Sequence, residues 1–321
     1  MKEFELISKY FKPLAKGFSG ALSLEDDIAI IPKDKNFDYI ITSDGMAEGV
    51  HFPENSMAEI IASRLLVSNL SDIASSGGIP KYYSITGSIK KGLDEKWFKG
   101  FSSKLAELNK EYNIHLLGGD TIKTNEQLFF SITMIGEVEA GKALLRSTAL
   151  EGDDIYVSGN IGDAYIGLQI LKGEIEKFSY QDKNYFINRY LYPTARIELA
   201  RNLIGIATAC TDISDGLIRD LENICIASKV NAEINKEDIP VAIKDELFFE
   251  QISGGDDYEL IFTARQKDRN KIKNLAKKLN IKISKIGKIT KEKLGKESDK
   301  VKISHKGKPI KYTQKGFEHE V

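Results

Sequence analysis

Residues 39–75 read YIITSDGMAEGVHFPENSMAEIIASRLLVSNLSDIAS, and within them the chain passes from one periodicity to another. Tyr39–Ser43 is a short run rich in β-branched residues that stops at Asp44-Gly45, the pattern of a strand. Met57–Ser75 is a longer amphipathic run, the pattern of a helix. The same alternation continues on both sides. Strands are expected at Ile28–Ile31, Tyr82–Ile89, His115–Leu117 and Leu128–Val138, and a helix at Glu95–Tyr112. Further on, Ile155–Ser158, Thr208–Ile213, Ala232–Asn235, Leu260–Ala264 and Lys282–Ile286 read as strands, and Ala164–Leu171, Ala195–Leu203, Gly216–Ser228 and Gln266–Leu279 as helices. Short strands alternating with longer helices make layered α/β (α+β) domains rather than repeats or a coiled coil. Residues 139–154, charged and carrying Gly141 and Gly152, follow neither period. The domain junction is placed there, giving a first domain of residues 1–140 and a second of residues 141–321.

The 321 residues suffice for two domains with their own cores, and 41 % apolar residues exclude wholesale disorder. Lys and Arg number 46 against 47 Asp and Glu, a net charge of −1, so no overall positive field draws in a polyanion. Neither nucleic acid nor a membrane is expected as a partner. The opening MKEFELISKYFKPLAK breaks its apolar residues with charges every few positions, and no run approaches about 18 apolar residues, so a cytoplasmic protein is expected. Cys210 and Cys225 are the two cysteines; without C-x-x-C or H-E-x-x-H they read as free thiols, not as a zinc site or a disulfide framework. Residues 291–321 hold nine Lys against five Asp and Glu but lack the Arg and interleaved aromatics of a nucleic-acid patch, and read as a solvated tail or hairpin.

The chemistry gathers in acidic residues set beside small ones at the ends of apolar runs. They are Asp26-Asp27, Thr42-Ser43-Asp44, Asn69-Leu70-Ser71-Asp72, Gly118-Gly119-Asp120-Thr121 and Thr211-Asp212-Ile213-Ser214-Asp215-Gly216. A single such Asp is ordinarily an N-cap or turn residue; five groups together weaken that reading. Carboxylates crowded into one cleft repel, and persist as anions only beside cations or donors. Mg²⁺ takes oxygen ligands, often one or two carboxylates plus a substrate's phosphates, so scattered Asp in a chain with four His is its expected signature. Gly118, Gly119, Gly254 and Gly255 would let backbone approach a phosphate, and the hydroxyls of Thr42, Ser43 and Ser214 could donate to it or ligate the metal. The chain has no G-x-x-x-x-G-K-[ST] and none of the H-R-D and D-F-G set, so a nucleotide site here is of another type. Residues 159–164 resemble a phosphate-binding turn only loosely, and close strand–helix packing is the preferred reading for them.

In order along the chain, these motifs resemble the thiamine-monophosphate kinases. The first half carries Asp26-Asp27-Ile28-Ala29, Thr42-Ser43-Asp44 to Gly49-Val50-His51-Phe52, Asn69-Leu70-Ser71-Asp72-Ile73-Ala74 and Gly118-Gly119-Asp120-Thr121. The second half adds Arg146-Ser147 to Gly152-Asp153, Asp212-Ile213-Ser214-Asp215-Gly216-Leu217, Gly254-Gly255-Asp256-Asp257-Tyr258-Glu259-Leu260 and the terminal Gly316-Phe317-Glu318-His319, so the resemblance spans nearly the whole chain. Asp-x-Ser-Asp-Gly and Gly-Gly-Asp-Thr recur in the wider superfamily of aminoimidazole-ribonucleotide and selenophosphate synthetases. The Gly-Val-His-Phe and Gly-Gly-Asp-Asp-Tyr-Glu-Leu stretches and the terminal aromatic point to the kinase branch.

The resemblance implies ATP-dependent phosphorylation of thiamine monophosphate to thiamine diphosphate with Mg²⁺, by direct transfer without a phosphoenzyme. It assigns Asp27, Thr42, Ser43, Asp44, Asp72, Asp120, Asp212 and Asp215 to metal, Asp27, Gly119, Asp120, Arg146 and Ser214 to ATP, and His51, Asp256 and Phe317 to the thiamine substrate. It also implies a homodimer whose N-terminal mixed sheets, flanked by helices, pair with each other, and a C-terminal α/β domain that completes the cleft. Taken alone, His51 also reads as a satisfied half-buried side chain and Phe317 as a core aromatic. Leu24-Glu25 stands where the family usually has Gly, Gly45-Met46-Ala47 where it has larger residues, and Asp256 where Glu is common. Two other readings stand beside the kinase: an ATP-driven synthetase of the same superfamily, and a nucleotide- or thiamine-phosphate-binding protein without turnover.

Overall fold

Each half of the chain lays its apolar strands into one mixed sheet. The structure, a computed structural model, describes residues 12, 19–124, 126–292, 300–313 and 315–317. In the first half, β1 (Ala29–Pro32), β2 (Phe37–Ala47), β3 (Ile79–Ile89), β4 (His115–Lys123) and β5 (Phe129–Glu139) run in the order β1-β2-β5-β3-β4. β3 and β4 are parallel and the other neighbours antiparallel. β5 alternates strictly, turning Phe130, Ile132, Met134 and Val138 inward. Onto that face pack α1 (Ala58–Ser75) and α2 (Glu95–Tyr112). The Asp94 carboxylate caps α2 by accepting from the Trp97 N–H at 2.8 Å, left-handed Asn113 ends it, and Phe101, Leu105 and Leu108 form its buried stripe.

The second half contributes β6 (Asp154–Ser158), α3 (Asp163–Leu171), α4 (Tyr180–Leu191), α5 (Ile197–Leu203), β7 (Ala207–Asp212), α6 (Leu217–Ser228) and β8 (Val230–Asn235). After them come α7 (Phe248–Ser253), β9 (Leu260–Ala264), α8 (Arg269–Leu279), β10 (Ile283–Lys291), β11 (Val301–His305) and β12 (Lys308–Ile310). Their strands run in the order β12-β11-β8-β10-β6-β9-β7, with β11 and β8 parallel. β6 and β9 bury every side chain because helices cover both faces. Ile155, Val157 and Ile261 pack with α6 and α7, whereas Tyr156, Leu260 and Phe262 pack with α5 and α8. α1 belongs to both halves: Leu65, Leu66 and Leu70 lie in the first core, and Ala74 packs with Leu199, Leu203 and Cys210 of the second. No helix among the described residues is long and apolar enough to cross a membrane. Both cysteines are free and buried.

The two-domain α/β architecture agrees with the sequence reading, and the differences have local causes. β4 runs to Lys123, past the expected Leu117, because parallel pairing with β3 carries the Gly118–Lys123 stretch along. α8 begins at Arg269, after a 3-10 turn over Gln266–Asp268. α4 and α7 had not been expected. The tail holds the β11–β12 hairpin, while Glu318 and His319 lie outside the described residues. In the 159–162 turn the Gly162 N–H already donates to Asp257 Oδ2 at 2.8 Å, and a Cβ on Gly162 would stand 2.4 Å from Gln251 Cβ, so the packing reading holds there.

All nine residues of β4 are exposed on the sheet's edge, yet its seat is tight: a Cβ on Gly119 would lie 1.7 Å from the Ile85 carbonyl oxygen. Gly119→Ala is therefore expected to push β4 off β3 and lower stability by about 1–3 kcal/mol, as overpacking does. Urea unfolding would check this; an unchanged midpoint would leave Gly119 a purely ligand-facing role.

Candidate functional site

Burial within an otherwise apolar helix makes the polar residues of α1 conspicuous. Ser68, Asn69, Ser71, Asp72 and Ser75 are all buried, on the C-terminal half of a helix that has almost no solvent-facing side. Buried polar groups must find partners; Ser68 donates within the helix, to Leu65 O at 3.1 Å, and the others reach three other segments. Thr42 on β2 donates to Asp72 Oδ2 at 2.5 Å. Ser71 donates to Asp212 Oδ2, at the end of β7, at 2.6 Å. The Ser75 hydroxyl lies 2.8 Å from Asp72 O in its own helix and 3.3 Å from Asp27 Oδ2, an oxygen that accepts from Thr211 at 2.8 Å. The Asn69 amide oxygen accepts from the Asp44 N–H at 3.2 Å.

The outcome is a group of three carboxylates. Asp27, Asp72 and Asp212 each offer one oxygen, and these oxygens all lie within 4.8 Å of one another. Burial pushes Asp212 up to about 8, with the charge of Asp27 adding to it and the Ser71 hydroxyl and Arg146 opposing. Asp72 is raised well above the usual carboxylate range, by burial first and then by Asp44, Asp212 and Asp27. Asp26 is raised to about 6 by burial and by Asp27, although Arg146 opposes this. Arg146 is the cation of the site: its Nη2 donates to Asp27 Oδ1 and its Nε to Thr211 Oγ1 at 3.1 Å. Asp212 Oδ1 is buried and accepts no hydrogen bond. An orphaned carboxylate oxygen beside two further carboxylates fits a hard divalent cation, which takes oxygen ligands and favours their ionised form.

Above this floor opens a cleft of about 570 Å³ lined from both halves of the chain, by Asp26, Asp27, Thr42, Ser43, Asp44, Asp72, Arg146, Ser214 and Asp215 with apolar Leu24, Ile28, Ala29 and Ile41. The loop carrying Ser214 and Asp215 is held by Asp220, a residue that sequence reasoning missed. Its Oδ2 accepts from the Ser214 N–H at 3.1 Å and the Asp215 N–H at 3.2 Å. The same loop is stitched to the 256–258 segment: the Asp256 N–H donates to Ser214 O at 2.8 Å and the Tyr258 N–H to Ile213 O at 2.9 Å. Phe317, about half exposed, donates its N–H to Asp215 O at 3.0 Å. His51 Nδ1 accepts from the Ala47 N–H at 3.1 Å.

Three expected site residues stand apart. Strand alternation turns Ser43 to the other sheet face, where its hydroxyl lies 3.1 Å from Thr133 Oγ1 and donates to Ile132 O at 3.2 Å, so only its backbone follows the cleft wall. Gly119 and Asp120 are separated from the carboxylate group by register. Asp44 pairs with Ile132, Ile132 with Ile85 and Ile85 with Gly119, which places β4 three strand spacings from β2, roughly 14 Å. Asp26, Ser71, Ser75 and Thr211, which orient the three carboxylates or back Arg146, had not been assigned roles; their signal was polar residues inside buried apolar runs.

Residues 25–138 match the family model described as AIR synthase related protein, N-terminal domain, and residues 151–300 its C-terminal counterpart. The chain is 40 % identical to a thiamine-monophosphate kinase of Haemophilus influenzae over 99 % of its own length and 98 % of that protein's. Among solved structures it is similar to AaThiL complexed with AMPPCP and TMP, with a TM-score of 0.82 and 28 % identity over 99 % of this chain and 97 % of that one. It is also similar to the thiamine-monophosphate kinase from Stenotrophomonas maltophilia, with a TM-score of 0.76 and 31 % identity over 94 % and 98 % of the two chains.

The raised carboxylates set the sign of a pH effect. Asp26 at about 6 and Asp212 at about 8 both stand above their ordinary 3.8, so between about pH 4 and 8 the folded state holds more protons than the unfolded one and stability falls as pH rises. A divalent cation on the ionised group offsets this. In chelator the melting midpoint should drop from about pH 5.5 to about pH 8.5, and Mg²⁺ should restore more at the higher pH. A midpoint flat across that window, or larger metal stabilisation at the lower pH, would contradict the carboxylate assignment.

Proposed function

The chain belongs to the thiamine-monophosphate kinase family, and we propose that its acidic cleft is where ATP phosphorylates thiamine monophosphate to thiamine diphosphate. The observation that carries this reading is the Asp27–Asp72–Asp212 group with Arg146 beside it, set in a cleft built from both halves of the chain. Phosphoryl transfer asks little covalent chemistry of a protein; it asks for alignment and for charge to be neutralised.

Asp27, Asp72 and Asp212 would hold Mg²⁺, with Asp44 and Asp215 at the rim of the same cleft. Bound there, the metal supplies neutralisation of the two phosphates' repulsion and of charge on the leaving oxygen. The protein's own part is orientation. Thr42, Ser71 and Thr211 each fix one carboxylate oxygen, and Arg146 holds the second oxygen of Asp27. Arg146 presents a planar fork of donors suited to a nucleotide phosphate, and the Ser214 hydroxyl lines the same wall. His51 and Asp256 meet the thiamine part, and Phe317 stacks on the cationic thiazolium, a contact worth roughly 0.5–2 kcal/mol. The labour divides near residues 140/141, the first domain carrying most of the metal-binding side chains and the second completing the cleft.

We further assign β4 to a homodimer contact. Leu116, Leu117 and Ile122 are exposed on an edge strand whose every residue faces solvent, an arrangement that invites pairing, and a partner there would bring Gly119 and Asp120 to the subunit boundary. Leu117→Arg is expected to shift the sedimentation profile to monomer while the monomer's melt stays cooperative. A dimer undisturbed by that change would place the contact elsewhere.

The function is tested by following thiamine diphosphate in a mixture of the chain, ATP and thiamine monophosphate, with Mg²⁺ or with chelator. Formation only with metal is expected; release of free phosphate without the product would put the chain with the synthetases. Asp72→Asn should lower kcat by about a hundredfold or more, yet leave metal-free stability unchanged or raised, because it removes one of three repelling charges and keeps an acceptor for Thr42. Parallel loss of fold and activity would make Asp72 structural.

A further inference from the structure

Arg64 lies on α1 two turns before the acidic stretch, 1 % exposed, at a place where a charge is costly unless it is fully partnered. Its Nη1 and Nη2 find partners in three segments, while Nε is buried without one. Nη1 donates to Tyr190 O at 2.6 Å, and Nη2 donates to His51 O at 3.2 Å and to Asp256 Oδ1 at 2.8 Å. The guanidinium carbon stands 4.1 Å from the centre of the Tyr190 ring. Asp256 has a left-handed backbone, φ 62°, which its N–H bond to Ser214 O helps to maintain. Its Oδ1 is taken by Arg64 and by the Tyr258 hydroxyl at 3.2 Å, so on a side chain 30 % exposed it is Oδ2 that remains available to a ligand.

The same helix carries both ends of the site. Ser71, seven residues on and so on nearly the same helical face, holds Asp212, and Asp72 is one of the three carboxylates. At about 1.5 Å per residue, Arg64 and Asp72 stand roughly 12 Å apart along the axis, a separation that a helix buried on nearly all sides keeps fixed. We propose that Arg64 is a positioning residue: it holds the His51 and Asp256 segments so that the ring end of the substrate is bound at a set distance from the carboxylates that would hold the metal beside its phosphate. The inference rests on the proposed function. A planar fork makes these contacts simultaneously; an apolar side chain of similar length makes none, and lysine keeps the charge opposite Asp256 without the fork.

The test compares Arg64→Met and Arg64→Lys with the unmodified chain. In Arg64→Met the KM for thiamine monophosphate should rise about tenfold or more, with the KM for ATP within about twofold, and Arg64→Lys, which keeps the charge opposite Asp256 but not the fork, should recover only part of the loss. Equal rises in both KM values, or a fall in kcat alone, would overturn the proposal. Should Arg64→Met fail to melt cooperatively, a crystal structure of the unmodified chain with thiamine monophosphate decides. His51 and Asp256 touching the thiamine part with Arg64 behind them supports the proposal; Arg64 itself touching the substrate, or Asp256 turned away from it, overturns it. An unmodified chain that forms no thiamine diphosphate would instead remove the function on which the inference stands.

Discussion

Mutual repulsion among three nearly buried carboxylates is the constraint around which the molecule is arranged. Two unit charges about 4 Å apart repel by about 1 kcal/mol in water and about 4 kcal/mol at an effective dielectric near 20, so the group around Asp27, Asp72 and Asp212 opposes folding wherever it is ionised. The surroundings supply partial relief: a hydroxyl on each carboxylate, from Thr42, Ser71 and Thr211, and the guanidinium of Arg146 against Asp27. Burial and the remaining repulsion are relieved by protons, which is why Asp212 is pushed up to about 8, or by a cation taking their place. A site that withholds full compensation in the free protein is a site whose compensation arrives with its ligand.

That constraint explains why α1 is buried yet polar. A helix in the seam between two cores would ordinarily be apolar all round. α1 keeps its apolar residues toward the first sheet and spends its C-terminal half on Asn69, Ser71, Asp72 and Ser75, each bonded to a strand or loop of the site. The same logic extends to the loops. The Ser214-Asp215 segment is bonded to Asp220, to the 256–258 segment and to Phe317, so the wall that meets phosphate and the wall assigned to thiamine are one hydrogen-bonded unit. Main-chain bonds fix where the two walls meet, and alignment of reacting groups is sensitive to shifts of about 1 Å.

Most of the strands and helices were legible because their periods are strong: β5 alternates without a break, and α2 carries a capping Asp94 and a clean stripe. The elements that escaped are those whose local signal is weak. α4 is rich in Tyr and Asn, poor helix formers, and is fixed by Phe186 and Tyr190 reaching the core and by Ser179 capping it. Within the site, acidic residues beside small ones pointed to Asp27, Asp72 and Asp212, which the fold brings together. The separation of Asp120 was not legible, since it depends on the order β2-β5-β3-β4, a pairing that no single segment encodes. Arg64 was equally hidden: its partners Tyr190 and Asp256 lie 126 and 192 residues away.

The nature of the acceptor accounts for what the cleft is made of. A kinase that phosphorylates an alcohol must remove a proton from its nucleophile, and so sets a base beside it. A phosphate monoester, with a second ionisation near about 6, is already an anionic nucleophile at neutral pH and asks for no base. The difficulty lies in approach, since two polyanions must be brought to in-line contact. Oxygen ligands for divalent cations, a fixed guanidinium and backbone loops that hold them rigidly answer that difficulty, whereas a histidine–serine pair would not. The walls of this cleft carry aspartates, hydroxyls and Arg146 in that arrangement, and in the proposed function His51, whose Nδ1 already accepts from the Ala47 N–H, would orient a substrate rather than activate one.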